Sequence, residues 1–153
     1  MVTRNKTAFG LENANINVRI KLSALWVVLM LLYIYPDILT IMQPGHIQQI
    51  MAGELDGNKI TQTLLLAGTI SMSISSIMVF LCLVLKPQIN RWVNMLLGIG
   101  YIGMVAAYLP GNWAYYLCNS CLEIIVSLLI VWHAWTWPRQ EGVPAQQSNS
   151  ADA

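Results

Sequence analysis

Charge is what this chain has least of. Asp, Glu, Lys and Arg make up 10% of its 153 residues, against roughly 25% in ordinary soluble domains. A surface made of these residues cannot be solvated like that of a soluble domain. The net charge is +1, so no basic field exists to attract nucleic acid. Cysteine is scarce too. Cys82, Cys118 and Cys121 all fall in apolar stretches, and an odd count with none in a hydrophilic loop argues against a secreted disulfide framework. The two histidines, His46 and His133, lie far apart, and no His/Cys spacing suits zinc. No metal and no cofactor are expected.

What the chain has is apolar sequence, at 56% of residues. It is gathered into four segments. The first spans about 22–42 and carries Pro36, whose ring should kink a helix, a fault that membrane helices tolerate. The second spans about 60–85, with Ala67, Ser71 and Ser75 repeating on one face as small residues that permit close helix approach. The third spans about 92–109, and the fourth about 114–137. Each approaches the ~20 residues that cross a hydrocarbon core. The third contains Gly98, Gly100 and Gly103 as G-x-G-x-x-G. That pattern signals a dinucleotide site only within a βαβ unit, so helix packing is the expected use. Residues 1–21 form a polar amino-terminal segment unlike a signal peptide, and the first apolar run reads as a retained span. Residues 138–153 form a polar tail expected to be disordered.

The connections are short except 43–59, where Pro44-Gly45 and Asp56-Gly57-Asn58 mark turns and His46–Met51 can form a short interfacial helix. Segments two and three, joined at Lys86-Pro87, should be antiparallel neighbours; Pro110-Gly111-Asn112 marks a tight turn before the fourth. The expectation is an all-α integral membrane protein: a four-helix up-down bundle. Arg4, Lys6, Arg19, Lys21, Lys86, Arg91 and Arg139 fall on one side and Lys59 alone on the other. Both termini are therefore expected to be cytoplasmic, in a bacterial inner membrane. Trp92, Trp132, Trp135 and Trp137 would mark the inner interface, and Trp113, Tyr115 and Tyr116 the outer one.

Two carboxylates break the apolar pattern. Glu123 follows Trp113 by ten residues, about 15 Å along a helix, which is near the bilayer midplane. Asp37 precedes Gln43 by six, roughly 9 Å from the same boundary. Tyr116, Asn119, Ser120, Glu123 and Ser127 share one helical face; Tyr33, Asp37 and Thr40 share another. Neither stripe should meet lipid, where unsatisfied polar groups are costly. The two should face each other, with Gln62 at the outer end of the second segment. No Lys or Arg lies at this depth. Asp37, Glu123, Gln62, Asn119 and Tyr33 are thus candidates for ligand binding or proton relay, because ionisable groups within spans mark pathways and sites. Hydroxyls and Asn also serve as interhelical hydrogen-bonding groups.

Cys118 and Cys121 form a C-x-x-C pair in the outer part of the fourth segment. The arrangement is similar to vitamin K epoxide reductase-like enzymes, which have such a pair on the last of four spans; that resemblance implies thiol–quinone redox chemistry. Those enzymes also carry loop cysteines, and residues 43–59 contain none. At ~100° per residue both cysteines point away from Glu123. Cys82 reads as a packing residue, and His133 as a polar tip reaching the interface.

A further resemblance covers about residues 20–137. K-L-S-A-L-W (21–26), Y-I-Y-P-D-I-L-T (33–40), I-T-Q (60–62), N-R-W-V-N (90–94) and Glu123 resemble a family of small, mostly bacterial four-span proteins known only as a domain of unknown function. In general architecture the chain also looks like DoxX-type membrane proteins, an analogy at fold level. The resemblance implies Asp37, Gln62 and Glu123 as the polar set; Pro36 departs from the small residue expected before the Asp. Three functional readings follow. One is a membrane protein that binds or translocates a small ligand or proton at an acidic pocket. Another is a thiol–quinone oxidoreductase using Cys118 and Cys121. The third is a non-catalytic subunit of a membrane complex. Enzymatic activity is less expected than its absence. The partners expected are the lipid bilayer, a small-molecule or lipid ligand, and other membrane subunits or further copies of the chain.

Overall fold

A computed structural model of the chain describes residues 16–55, 57–109 and 113–137. The turn expected at 110–112 and the tail expected to be disordered lie outside the described residues. Five helices and two short strands follow in order: α1 Val18–Ile41, α2 His46–Met51, β1 Glu54–Leu55, β2 Asn58–Lys59, α3 Gln62–Val84, α4 Pro87–Tyr108 and α5 Ala114–Trp135.

Two helices begin well before the apolar runs they contain. Asn17 caps α1 by accepting from the Arg19 N–H at 3.0 Å, which extends the helix four residues ahead of Leu22. Pro87 opens α4, where its fixed φ suits the first helical position and its missing N–H costs nothing. The apolar run does not mark the helix end; the cap does. Between α1 and α3 the chain forms α2 and then an antiparallel ladder pairing Glu54 with Lys59 and Leu55 with Asn58. Gly45 and Gly57 take φ values of 83° and 77° there, which only glycine adopts without strain.

The four long helices pack lengthwise. α1 lies against α3 and α5, and α5 lies against α4. α1, α3 and α5 bury residues at steps built of three and four. On α1 these are Leu22, Trp26, Leu29 and, further on, Pro36; on α5 they are Ser120, Glu123, Ser127, Ile130 and Ala134. This spacing keeps the buried residues on one face of each helix. Leu22, Trp26, Leu29, Met78, Cys82, Tyr101 and Ile130 form the central cluster. α3 and α4 meet mainly through side chains rather than by close backbone approach. The small-residue face of α3 serves this side-chain contact: Ser75 Oγ lies 2.7 Å from Tyr101 Oη.

The glycines divide. A Cβ on Gly98 would meet Val131 Cγ2 at 2.7 Å and the Ser127 carbonyl at 3.4 Å, so α4 and α5 touch there because Gly98 has no side chain. A Cβ on Gly100 or Gly103 would meet nothing within 4 Å. Only the first of the three serves helix packing among the described residues.

Three helices, α1, α3 and α5, are long and apolar enough to cross a membrane. α4 matches them in length, but its first two turns carry Gln88, Asn90, Arg91 and Asn94. The expected third span is therefore the least apolar of the four helices.

Gly98→Ala is expected to lower stability by about 1–3 kcal/mol through overpacking. Gly100→Ala should leave stability unchanged or raise it by up to about 1 kcal/mol through helix propensity. Thermal unfolding of the two variants in detergent checks the contrast.

Candidate functional site

The α5 seam brings Glu123 to the interior. Its side chain is 6% exposed, between Ser120 and Ser127 at 2% and 0%. Glu123 lies nine residues after the start of α5 at Ala114, about 14 Å along the axis. The described basic residues are distant in sequence and place. Arg19, Lys21, Lys86 and Arg91 sit at helix ends remote from that start, as Arg91 over the Trp135 ring at 5.8 Å shows. Lys59 sits on β2.

Proline chemistry sets the neighbour of Glu123. Pro36 has no N–H, so the carbonyl four residues earlier, Leu32, loses its helical donor. Asn119 Nδ2 donates to that carbonyl at 2.9 Å. The same amide nitrogen donates to Glu123 Oε1, one turn along α5. One side chain thus satisfies the carbonyl that Pro36 frees on α1 and holds the carboxyl of α5. Around it, α1 is tied to the first turn of α5 as well: Tyr115 Oη receives Gln43 Nε2 at 2.6 Å and lies 2.7 Å from Thr40 Oγ1.

Tyr33 belongs to the same cluster. It is close enough to interact electrostatically with Glu123, Tyr101 and Tyr116, and its ring centroid lies 5.7 Å from that of Tyr101. Its hydroxyl is buried without a hydrogen-bond partner, and so is Ser127 Oγ, one turn from Glu123. Asp37 comes within electrostatic range of Glu123, but its side chain is exposed on the outer surface of α1. The two stripes therefore meet through Tyr33 and Asn119, and Asp37 stands at the edge. Gln62, in the first turn of α3, is exposed and not brought to Glu123. Cys118 and Cys121 are free and exposed, away from the buried seam that holds Glu123, as their helical positions predict.

A model of a family of unknown function, DUF6326, matches residues 11–143. The chain belongs to that family. Neither a curated protein nor a solved structure matches it.

In this DUF6326 chain a second polar system lies beside the first, and the spacing of the carboxylates does not reveal it. Trp26 Nε1 donates to Asn94 Oδ1 at 2.7 Å. Asn94 Nδ2 donates to Asn90 Oδ1 at 2.6 Å and to the Asn90 carbonyl at 2.8 Å. Asn90 Nδ2 donates to the Cys82 carbonyl at 2.6 Å. Cys82 Sγ donates to Asn94 Oδ1 at 3.4 Å, so this cysteine bonds as well as packs. Tyr101, edge-on to Trp26 at 5.6 Å and 5.7 Å from the Tyr33 ring, links the two systems, and it donates to the Ser71 carbonyl at 2.6 Å. Two Asn residues one turn apart in a largely apolar helix were the available signal.

The two systems differ in satisfaction. The Asn90–Asn94 network has partners throughout, whereas the Glu123 cluster contains orphan hydroxyls. Removing an unpaired hydroxyl removes only its desolvation penalty. Ser127→Ala and Tyr33→Phe are therefore expected to leave stability unchanged or raise it by up to about 1 kcal/mol, while Ser75→Ala lowers it by about 1 kcal/mol. Denaturant unfolding in detergent measures the difference; a loss above that size for both Ser127→Ala and Tyr33→Phe contradicts the assignment.

Proposed function

We propose that the protein is a four-span, up-down membrane protein with both termini in the cytoplasm, and that it exchanges a proton, or a small ligand carrying one, at Glu123. Apolar side chains on the outer faces of all four long helices support the membrane reading, with Phe80 64% and Leu96 68% exposed. A soluble monomer rarely leaves so much apolar surface uncovered. The excess of Lys and Arg on one side supports the orientation. The likeness to DoxX-type proteins is one of architecture and supplies no activity.

The observation that carries the functional reading is a buried carboxyl held by an amide, beside two orphan hydroxyls and away from any described Lys or Arg. An ionisable group buried without a Lys or Arg partner marks a site by default. Exposed Asp37, within electrostatic range, supplies the step between Glu123 and the α1–α2 end of the helices. Tyr33, between Glu123 and Tyr101, supplies a hydroxyl able both to give and to accept a proton. Cys118 and Cys121 lie on a different face and take no part.

Liposomes containing the protein and a trapped pH dye test this. Wild-type protein is expected to dissipate an imposed pH gradient faster than empty liposomes, Glu123→Gln to lose that excess, and Gln62→Ala to keep it. A wild-type rate equal to empty liposomes, or a Glu123→Gln rate equal to wild type, overturns the reading.

A further inference from the structure

We propose that an anionic phospholipid binds along α4, with an acyl chain in the cleft between α3 and α4 and its phosphate at Lys86 and Arg19. This rests on the membrane reading but not on any role for Glu123.

Two apolar grooves run along α4. One, about 560 Å³, passes Gln88, Trp92 and Leu96. The other, about 430 Å³, is lined by Ala67 and Ser71 of α3 and by Leu96, Gly100 and Met104 of α4. Leu96 belongs to both, so they follow one another along the helix. From Gln88 to Met104 the path covers 16 residues, about 24 Å, which exceeds the ~15 Å half-thickness of a hydrocarbon core. The cleft stays open for a stated reason. α3 and α4 meet through side chains, and the floor at Gly100 is bare backbone with nothing within 4 Å of where a Cβ would lie.

Basic side chains lie beside the start of α4, where the path begins. Lys86 sits exposed in the turn between α3 and α4. Arg19 Nη1 donates to the Leu83 carbonyl at 2.9 Å, which holds its guanidinium three residues from Lys86. Lys21 is exposed on the same turn of α1. The described carboxyls, Asp37, Glu54 and Glu123, lie on the last turns of α1, on β1 and midway along α5. None is placed to neutralise this end. A phosphodiester at the interface with a chain running into the membrane complements both halves of the path. A second copy of the chain does not. In one membrane with one orientation it would bring its own Lys86 and Arg19 against these, and like charges in an interface oppose association.

Native mass spectrometry of protein purified in mild detergent, followed by titration with phosphatidylglycerol or phosphatidylcholine, tests the site. Wild type is expected to retain one anionic lipid and to bind phosphatidylglycerol more tightly than phosphatidylcholine. Lys86→Gln and Arg19→Gln should each weaken phosphatidylglycerol about fivefold, the effect of one interfacial charge. Gly100→Leu, which fills the cleft, should abolish retention. Equal affinity for the two lipids, unchanged phosphatidylglycerol binding in Lys86→Gln, or undiminished retention in Gly100→Leu overturns the proposal. So does a dimer that Gly100→Leu converts to monomer, because a second copy then fills the cleft. Lys86 lies on an exposed turn, so its variant tests the charge even if Gly100→Leu does not fold.

Discussion

A backbone carbonyl without a donor is the constraint around which the helix packing is arranged. Away from water, each freed carbonyl needs a partner from the protein. Pro36 frees the carbonyl of Leu32, and Asn119 of α5 supplies the donor. The end of α3 frees those of Cys82 and Leu83, and Asn90 of α4 and Arg19 of α1 supply theirs. Three side chains from three helices thus fasten the places where regular helical bonding fails. Each bond also sets the register of one helix against another.

The site is a consequence of one of these repairs. An amide nitrogen has two hydrogens to give. Asn119 gives one to Leu32 on α1 and the other to Glu123 on its own helix. The proline turn of α1 and the position of the carboxyl are therefore coupled through a single side chain. Movement of α1 at Pro36 must either carry Asn119 along or release Glu123 from it. Nearby, Tyr33 and Ser127 keep hydroxyls without partners, whereas the Asn90–Asn94 system is complete. The complete system holds α3, α1 and α4 together; the incomplete one leaves two hydroxyls without partners.

Much of this was legible in the residues alone. Steps of three and four placed Tyr116, Asn119, Ser120, Glu123 and Ser127 on one face, and the structure turns Ser120, Glu123 and Ser127 inward. Family membership was legible from short motifs such as N-R-W-V-N. Helix starts were not, because Asn17 and Pro87, outside the apolar runs, set where α1 and α4 begin. Nor was the exposure of Asp37 and Gln62 legible, since helical spacing ranks faces without saying which neighbour covers them. The role of Asn119 required knowing that α5 passes the turn of α1 broken by Pro36. Likewise, Trp26 and Asn94 are 68 positions apart, and no local pattern joins them.

A double-mutant cycle between Pro36 and Asn119 tests the central coupling most directly. With Ala at position 36 the Leu32 carbonyl regains a helical donor from its own chain. The account predicts that Asn119→Ala destabilises the protein by about 1 kcal/mol less in the Pro36→Ala background than in the wild type. Equal costs in the two backgrounds would contradict it, and would mean that Asn119 does not hold Glu123 by way of the carbonyl that Pro36 sets free.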